Sequence, residues 1–186
     1  NDPLQEDLTI IVDEIDRLTK VVNQLLQFAK PGSEVKTSVR IGAVIHSTLV
    51  VLNHEAKQNK ITTFCQIPND LPEIAADEGA LKEVFFNLLR NAIQAMPSGG
   101  EIHINAHYQP SSHAIQITVT DTGTGIALGS FQKIFEPFYT TKQTGTGLGL
   151  SIVKKKLEDM EATIHAESNG HGASFVINFP LPEPLL

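Results

Sequence analysis

Three groups of residues have the composition and order needed to hold a nucleotide. The first is Asp121-Thr122-Gly123-Thr124-Gly125. Ile115, Ile117, Val119 and Asp121 share one parity of a strand pattern, so the carboxylate follows three apolar side chains toward the core. A buried carboxylate is costly unless it meets a donor, and an adenine exocyclic amine is such a donor. The second is Gly145-Thr146-Gly147-Leu148-Gly149-Leu150, about 20 residues further on. Its glycines let backbone N–H groups approach closely, and the helix that follows points its positive end at an anion. The two clusters read as the hinges of one mobile loop.

The third group lies on a helical pattern. Leu81, Val84, Phe85, Leu88, Leu89 and Ala92 form its apolar face, and Glu83, Asn87, Asn91 and Gln94 follow one another at spacings of four, four and three. Asparagine is a poor helix former, and in mid-helix neither Asn87 nor Asn91 can act as a cap. An amide oxygen is a neutral ligand for Mg²⁺, which keeps most of its waters and takes further oxygens from phosphates. The bland alternative is a pair of amides bonded to neighbouring backbone. Taken singly, a Gly-x-Gly pair is more often a turn than a phosphate site. No G-x-x-x-x-G-K-[ST] occurs, and Gly145-x-Gly147-x-Gly149 does not follow a strand directly, which excludes P-loop and Rossmann sites.

The elements that must position these groups follow from hydrophobic periodicity. The pattern predicts strands at 35–39 and 60–67, helices at 41–58 and 77–95, and a hairpin of 101–108 with 113–121 across Pro110-Ser111-Ser112. A helix from Gly147 to about Met160 follows the long loop, and a closing hairpin, 163–167 with 174–179, turns at Asn169-Gly170. Strands with helices on one side imply an α/β two-layer sandwich of a mixed sheet packed on helices. One long helix precedes it: Asp2 caps it, Pro3 opens it, Gln5 can close a capping box, and Pro31-Gly32 ends it. Leu8, Ile11, Ile15, Leu18, Val22, Leu25 and Ala29 form a heptad seam in alternating threes and fours. Such a stripe either packs on its own domain or, the sharper reading, is half of a helical hairpin that dimerises. The domain boundary falls at about Pro31, giving a helical part, 1–31, and a sandwich, 32–186.

Composition narrows the classes of function. With 186 residues, 41% hydrophobic, the chain suits one medium domain plus an appended element. A net charge of -7 argues against nucleic acid or an anionic membrane surface as partner, so a bound polyphosphate must rely on local groups and a metal ion. The single cysteine, Cys65, excludes an intrachain disulfide and fits a reducing, cytoplasmic compartment. No run of 18 apolar residues and no signal peptide occur, so this stretch is expected to be soluble, and any membrane anchor of a parent protein would lie upstream. Of seven histidines, His54 alone stands beside a carboxylate, Glu55, in a phosphoacceptor-like pair. It lies near a helix end with no access to a γ-phosphate, and a solvated helix end explains it as well. His103 and His107 share a strand face with Asn105 without a metal-ligand cluster.

In combination these segments resemble the catalytic, ATP-binding part of bacterial sensor histidine kinases, in the wider group shared with gyrase, mismatch-repair and heat-shock chaperone ATPases. Asn87-Leu88-Leu89-Arg90-Asn91-Ala92 resembles the asparagine box, and Asp121 to Ile126 the adenine-binding glycine box. Phe135-Glu136-Pro137-Phe138-Tyr139-Thr140-Thr141-Lys142 resembles the phenylalanine box of nitrogen-regulation-type kinases. Gly145 to Leu150 is similar to the second glycine box, and Gly170 to Phe175 to the last, weaker one.

The resemblance implies the Bergerat ATP-binding fold, with Mg-ATP as cofactor. Asn91 would bind the metal, Asp121 the adenine amine, and Gly123, Gly125 and Ile126 would form the turn beside the base. Lys142 would reach the terminal phosphates, which Thr144, Gly145, Thr146, Gly147, Leu148 and Gly149 would wrap. Asn87 and Lys142 are the candidate catalytic residues. Two departures matter: Gln94 stands where the family often has a phosphate-contacting lysine, and Ala173 replaces a common threonine, leaving Ser174 as candidate hydroxyl near the base. The first helix, ending in Gln27-Phe28-Ala29-Lys30-Pro31, resembles the second helix of the dimerisation and phosphoacceptor hairpin. The implied activity is phosphorylation of a histidine upstream of residue 1, for relay to a response regulator receiver domain. The rivals are a gyrase-like conformational clamp and a regulatory nucleotide-binding module. Clamp relatives keep a glutamate, the base for water, where this chain has Asn87, which cannot abstract a proton.

Overall fold

In the computed structural model, the described residues are 36–142, 145–168 and 170–182, with 8, 9, 11, 12, 14, 15, 18, 19, 21–23, 25 and 26 of an N-terminal helix, α1. The expected cap at Asp2-Pro3, the hinge at Lys30 to Ser33 and the turn residue Asn169 lie outside them. Strand β1, Thr37–Val39, leads into α2, Ile41–Gln58, whose bounds coincide with the apolar periodicity. Then come β2, Ile61–Gln66, β3, Ile74–Ala76, and α3, Glu78–Gln94. Asp77 caps α3 through its side chain, which accepts from the Ala80 N–H at 3.0 Å. Strands β4, Gly100–Gln109, and β5, Ala114–Asp121, flank a 3₁₀ turn at Pro110–Ser112. Beyond the long loop, which holds a second 3₁₀ turn at Lys133–Phe135, lie α4, Gly149–Asp159, β6, Thr163–Glu167, and β7, Ser174–Pro180.

The five-stranded sheet has the order β2-β4-β5-β7-β6, parallel only between β2 and β4. Strands β1 and β3 form a separate antiparallel pair that registers Thr37 with Ala76 and Val39 with Ile74. The sequence pattern gave no sign of β3, because three residues between Pro72 and Asp77 are too short to show a period. The inward faces of the sheet, Ile102 and Ile104 of β4, Ile115, Ile117 and Val119 of β5, and Phe175, Ile177 and Phe179 of β7, share one core with the helices. Leu81, Val84, Phe85, Leu88 and Leu89 give α3 the largest buried face, at 0–1% exposure. At about 1.5–3 kcal/mol for each fully buried large side chain, this face fixes α3 against the sheet, and with it the row of polar residues beside the face.

Helix α4 starts two residues later than the sequence suggests. Gly147 adopts φ +70 and turns the chain, so regular helix begins only at Gly149. The seam of α1 is uncovered: Leu8 is 54% exposed, Ile15 56% and Val22 53%, whereas the apolar residues of the core are buried. Among the described residues no helix is long and apolar enough to cross a membrane.

Candidate nucleotide site

The site is a cavity of about 420 Å³ between α3, the end of β5 and the long loop. That volume lies within the range of small-ligand pockets, roughly 300–1,000 Å³. Asp121, Gly125 and Ile126 line it, together with Asn91, Gln94 and Lys142. Ala95, Ile134, Leu150 and Phe175 supply apolar surface, and Phe135 meets Phe175 edge-on at 6.4 Å to anchor the loop beneath.

Asp121 is 4% exposed, at the end of β5 where the alternation predicts it. Its Oδ1 accepts two backbone bonds, from Gly123 N–H at 2.8 Å and Ala173 N–H at 3.3 Å. Burial nevertheless holds its carboxyl above the ordinary carboxylate range, opposed by those two donors and by the charge of Lys142. A carboxylate so desolvated gains most from a further donor, which is what a ligand amine in this cavity supplies.

The glycines around it are required by contact. A Cβ at Gly123 would stand 2.7 Å from the Ala95 carbonyl oxygen, and one at Gly172, φ +82, would overlap the Asp121 carbonyl. Ser168 pins the turn: its Oγ accepts from Ile126 N–H at 3.2 Å and donates to the Gly172 carbonyl at 2.7 Å. Neither the Ala173 donor nor Ser168 was legible in the sequence, since both depend on β5 and β7 being neighbours.

Also in the cavity wall, Lys142 Nζ donates to Asn91 Oδ1 at 3.1 Å and to Gln94 Oε1 at 2.8 Å. Desolvation lowers the pKa of this amine; Arg90 lowers it further, against the attraction of Asp121. An ammonium hydrogen-bonded to the Asn91 oxygen shows that this atom faces a place suited to a cation. Such a lone neutral oxygen suits Mg²⁺, which would complete its shell from phosphates and water.

Asn87 stands one turn away and does not line the cavity. Its Nδ2 donates to the Glu83 carbonyl at 2.9 Å, the backbone bond of the bland alternative, while Glu83 itself pairs with Lys156 at 2.9 Å. The start of α4 abuts both asparagines: a Cβ at Gly149 would lie 3.4 Å from Asn87 Oδ1 and 4.0 Å from Asn91 Nδ2. Helix α4 has no side-chain cap, so its positive end lies beside the Asn91 end of the cavity.

Other expected residues are placed differently. Gly145 packs on Thr140 and Gly147 on the Phe138 backbone, Leu148 is fully buried, and Leu148 N–H reaches Thr146 Oγ1 at 3.4 Å. In this conformation the second glycine cluster closes the loop upon itself and leaves the cavity wall to Leu150; Thr144 lies outside the described residues. Ser174 corrects an expectation. Alternation along β7 turns it to the opposite face of the sheet from Phe175, where its hydroxyl bonds Thr120 Oγ1 at 2.8 Å. His54 is exposed on α2 with its ring nitrogen 2.9 Å from Gln58 Nε2, and Glu55 faces Arg90 at 3.8 Å.

Fold and site together define an α/β nucleotide-binding sandwich. Residues 76–183 match the histidine kinase-, DNA gyrase B- and HSP90-like ATPase family, and the chain belongs to it. Among curated proteins it is 37% identical over 183 residues to the signal transduction histidine-protein kinase AtoS of Escherichia coli K12, covering 97% of this chain and 30% of that protein. It is 36% identical over 173 residues to the sensor histidine kinase ZraS of the same strain, covering 92% of this chain and 37% of ZraS. The chain thus spans about a third of these relatives. Full-length ShkA in complex with AMPPNP superposes with a TM-score of 0.81 at 26% identity, over 97% of this chain and 39% of that one. ThkA in complex with the response regulator TrrA gives 0.78 at 28% identity, over 97% and 52%.

Proposed function

We propose that this chain is the ATP-binding kinase part of a sensor histidine kinase, transferring the γ-phosphoryl group of Mg-ATP to a histidine upstream of residue 1 in the parent protein. The observation that carries the reading is a single cavity with a buried carboxylate at one end and the Asn91–Lys142 pair in its wall. Asp121 accepts the adenine amine, while Ile126, Ile134 and Phe175 exclude water from the base. Asn91 gives its oxygen to Mg²⁺, which when bound offsets phosphate charge, and Lys142 neutralises the terminal phosphate. An imidazole nitrogen of the acceptor attacks the γ-phosphorus, the bond to the bridging oxygen breaks, and ADP carries away the electron pair. Asn87 offers no base to activate water, so transfer is favoured over hydrolysis. The exposed seam of α1 supports pairing with a second helix as a hairpin, and through it a homodimer. The ThkA complex supports a response regulator as the next acceptor.

The test incubates the chain with γ-labelled ATP, alone and with a separately made hairpin carrying the acceptor histidine. Acid-labile label should appear on the hairpin only. Label on the chain itself, lost in His54→Gln, or no label on either, overturns the reading.

A further inference from the structure

We infer that Gln94 is a positioning residue for the loop lysine: it keeps Lys142 in the cavity while Asn91 exchanges the amine for a metal. The inference rests on the nucleotide site proposed above. Lys142 Nζ has three donors and two acceptors on α3, Asn91 at 3.1 Å and Gln94 at 2.8 Å, residues that lie on adjoining turns of the helix. The Asn91 oxygen cannot serve a divalent cation and an ammonium together, since the two charges repel at hydrogen-bond range. Loading the site therefore weakens the longer of the two bonds. The shorter, to Gln94, competes with nothing.

Residue type matters here. A lysine at 94 would repel Lys142, and a glutamate would hold it while adding negative charge beside the phosphates. A glutamine accepts from the amine and leaves all of its charge available to phosphate. The hold extends along the loop, because Thr140 Oγ1 accepts from Lys142 N–H at 3.1 Å and so ties the segment to the lysine's backbone. Gln94 is exposed, so replacing it leaves the packing of α3 intact.

The test begins without nucleotide. Amide hydrogen exchange over residues 139–142 is compared in the parent, Gln94→Met, which has similar length but no acceptor, and Gln94→Glu, which keeps one. Exchange should rise about fivefold in Gln94→Met, as expected for a lost bond to a charged group at a solvated site, and stay near parental in Gln94→Glu. Parental exchange in Gln94→Met overturns the inference. The second arm is a double-mutant cycle on Mg-ATP affinity. Gln94→Met should weaken binding about three- to tenfold when Lys142 is present and have no effect in a Lys142→Ala background. Equal loss in both backgrounds would make Gln94 a direct nucleotide contact and overturn it as well. A parent chain that does not bind Mg-ATP would sink the nucleotide reading, while the exchange arm still decides on Gln94.

Discussion

Replacing Asp121 by Asn separates the two things its carboxylate does. Oδ1 accepts from Gly123 and Ala173, at 2.8 and 3.3 Å. In the variant these two donors orient the amide, because the reverse rotamer would set an NH₂ against two N–H groups. The oxygen therefore stays on the backbone and the Nδ2 donors are forced toward the cavity. The fold keeps both bonds and loses a desolvated charge, so thermal stability should be unchanged or higher. For an adenine ligand the result is opposite: its amine loses a charge-assisted acceptor and meets a donor. At about 1.5–3 kcal/mol this is roughly a 10- to 150-fold loss of ATP affinity. Calorimetric titration gives the affinity, and a melting curve on the same sample gives the stability. Parental affinity would remove Asp121 from the site. A large fall in melting temperature would show that the carboxylate is structural.

The raised carboxyl of Asp121 makes affinity and stability move in opposite directions with pH. As pH falls through its folded pKa the acceptor is lost and ATP binding weakens. Over the same window the folded state holds a proton that the unfolded state does not, so this group's contribution to stability rises. The difference in affinity between the parent and Asp121→Asn, followed by titration across pH 4 to 7, should shrink toward the acid end; a constant difference refutes it. In Asn91→Ala, Mg²⁺ should lose most of its enhancement of ATP binding with little change in the metal-free affinity, measured with and without chelator. Gly172→Ala combines a left-handed backbone with overlap on the Asp121 carbonyl and should destabilise the domain by about 2 kcal/mol or more in denaturant titration; a parental midpoint would show that the 170–173 turn adapts.

What was legible in the sequence depended on period. The buried position of Asp121 was legible because strand parity is a local rule, and the bounds of α2 because its apolar residues recur through eighteen positions. The same parity rule excludes Ser174 from the cavity once Phe175 is known to face the core, so the alanine at 173 has no hydroxyl substitute at the next position. The second glycine cluster was legible as a hinge. Its packing against Phe138 and Thr140 was not, because a loop has no period from which a contact can be read. Lys142 on Gln94 joins positions 48 apart and likewise belongs to the loop's conformation.

Asp121 and Lys142 are held by different means, which on the proposed function orders events during nucleotide loading. The Asp121 carboxylate is held by backbone: two N–H donors fix one oxygen, one from the turn after β5 and one from Ala173 just before β7, and Gly172 lets those segments touch. Moving Asp121 would require moving the sheet. Lys142 instead sits on a long loop and is held to α3 by two bonds between side chains. Bonds of that kind open at a cost of about 1 kcal/mol each, within thermal reach. On the function proposed above, the acceptor for adenine is therefore preformed, whereas Lys142 turns to phosphate by giving up Asn91 to the metal while Gln94 keeps its hold. On that reading a nucleotide with the wrong base should be rejected before the loop responds, and one with the right base but no metal should leave Lys142 on both Asn91 and Gln94.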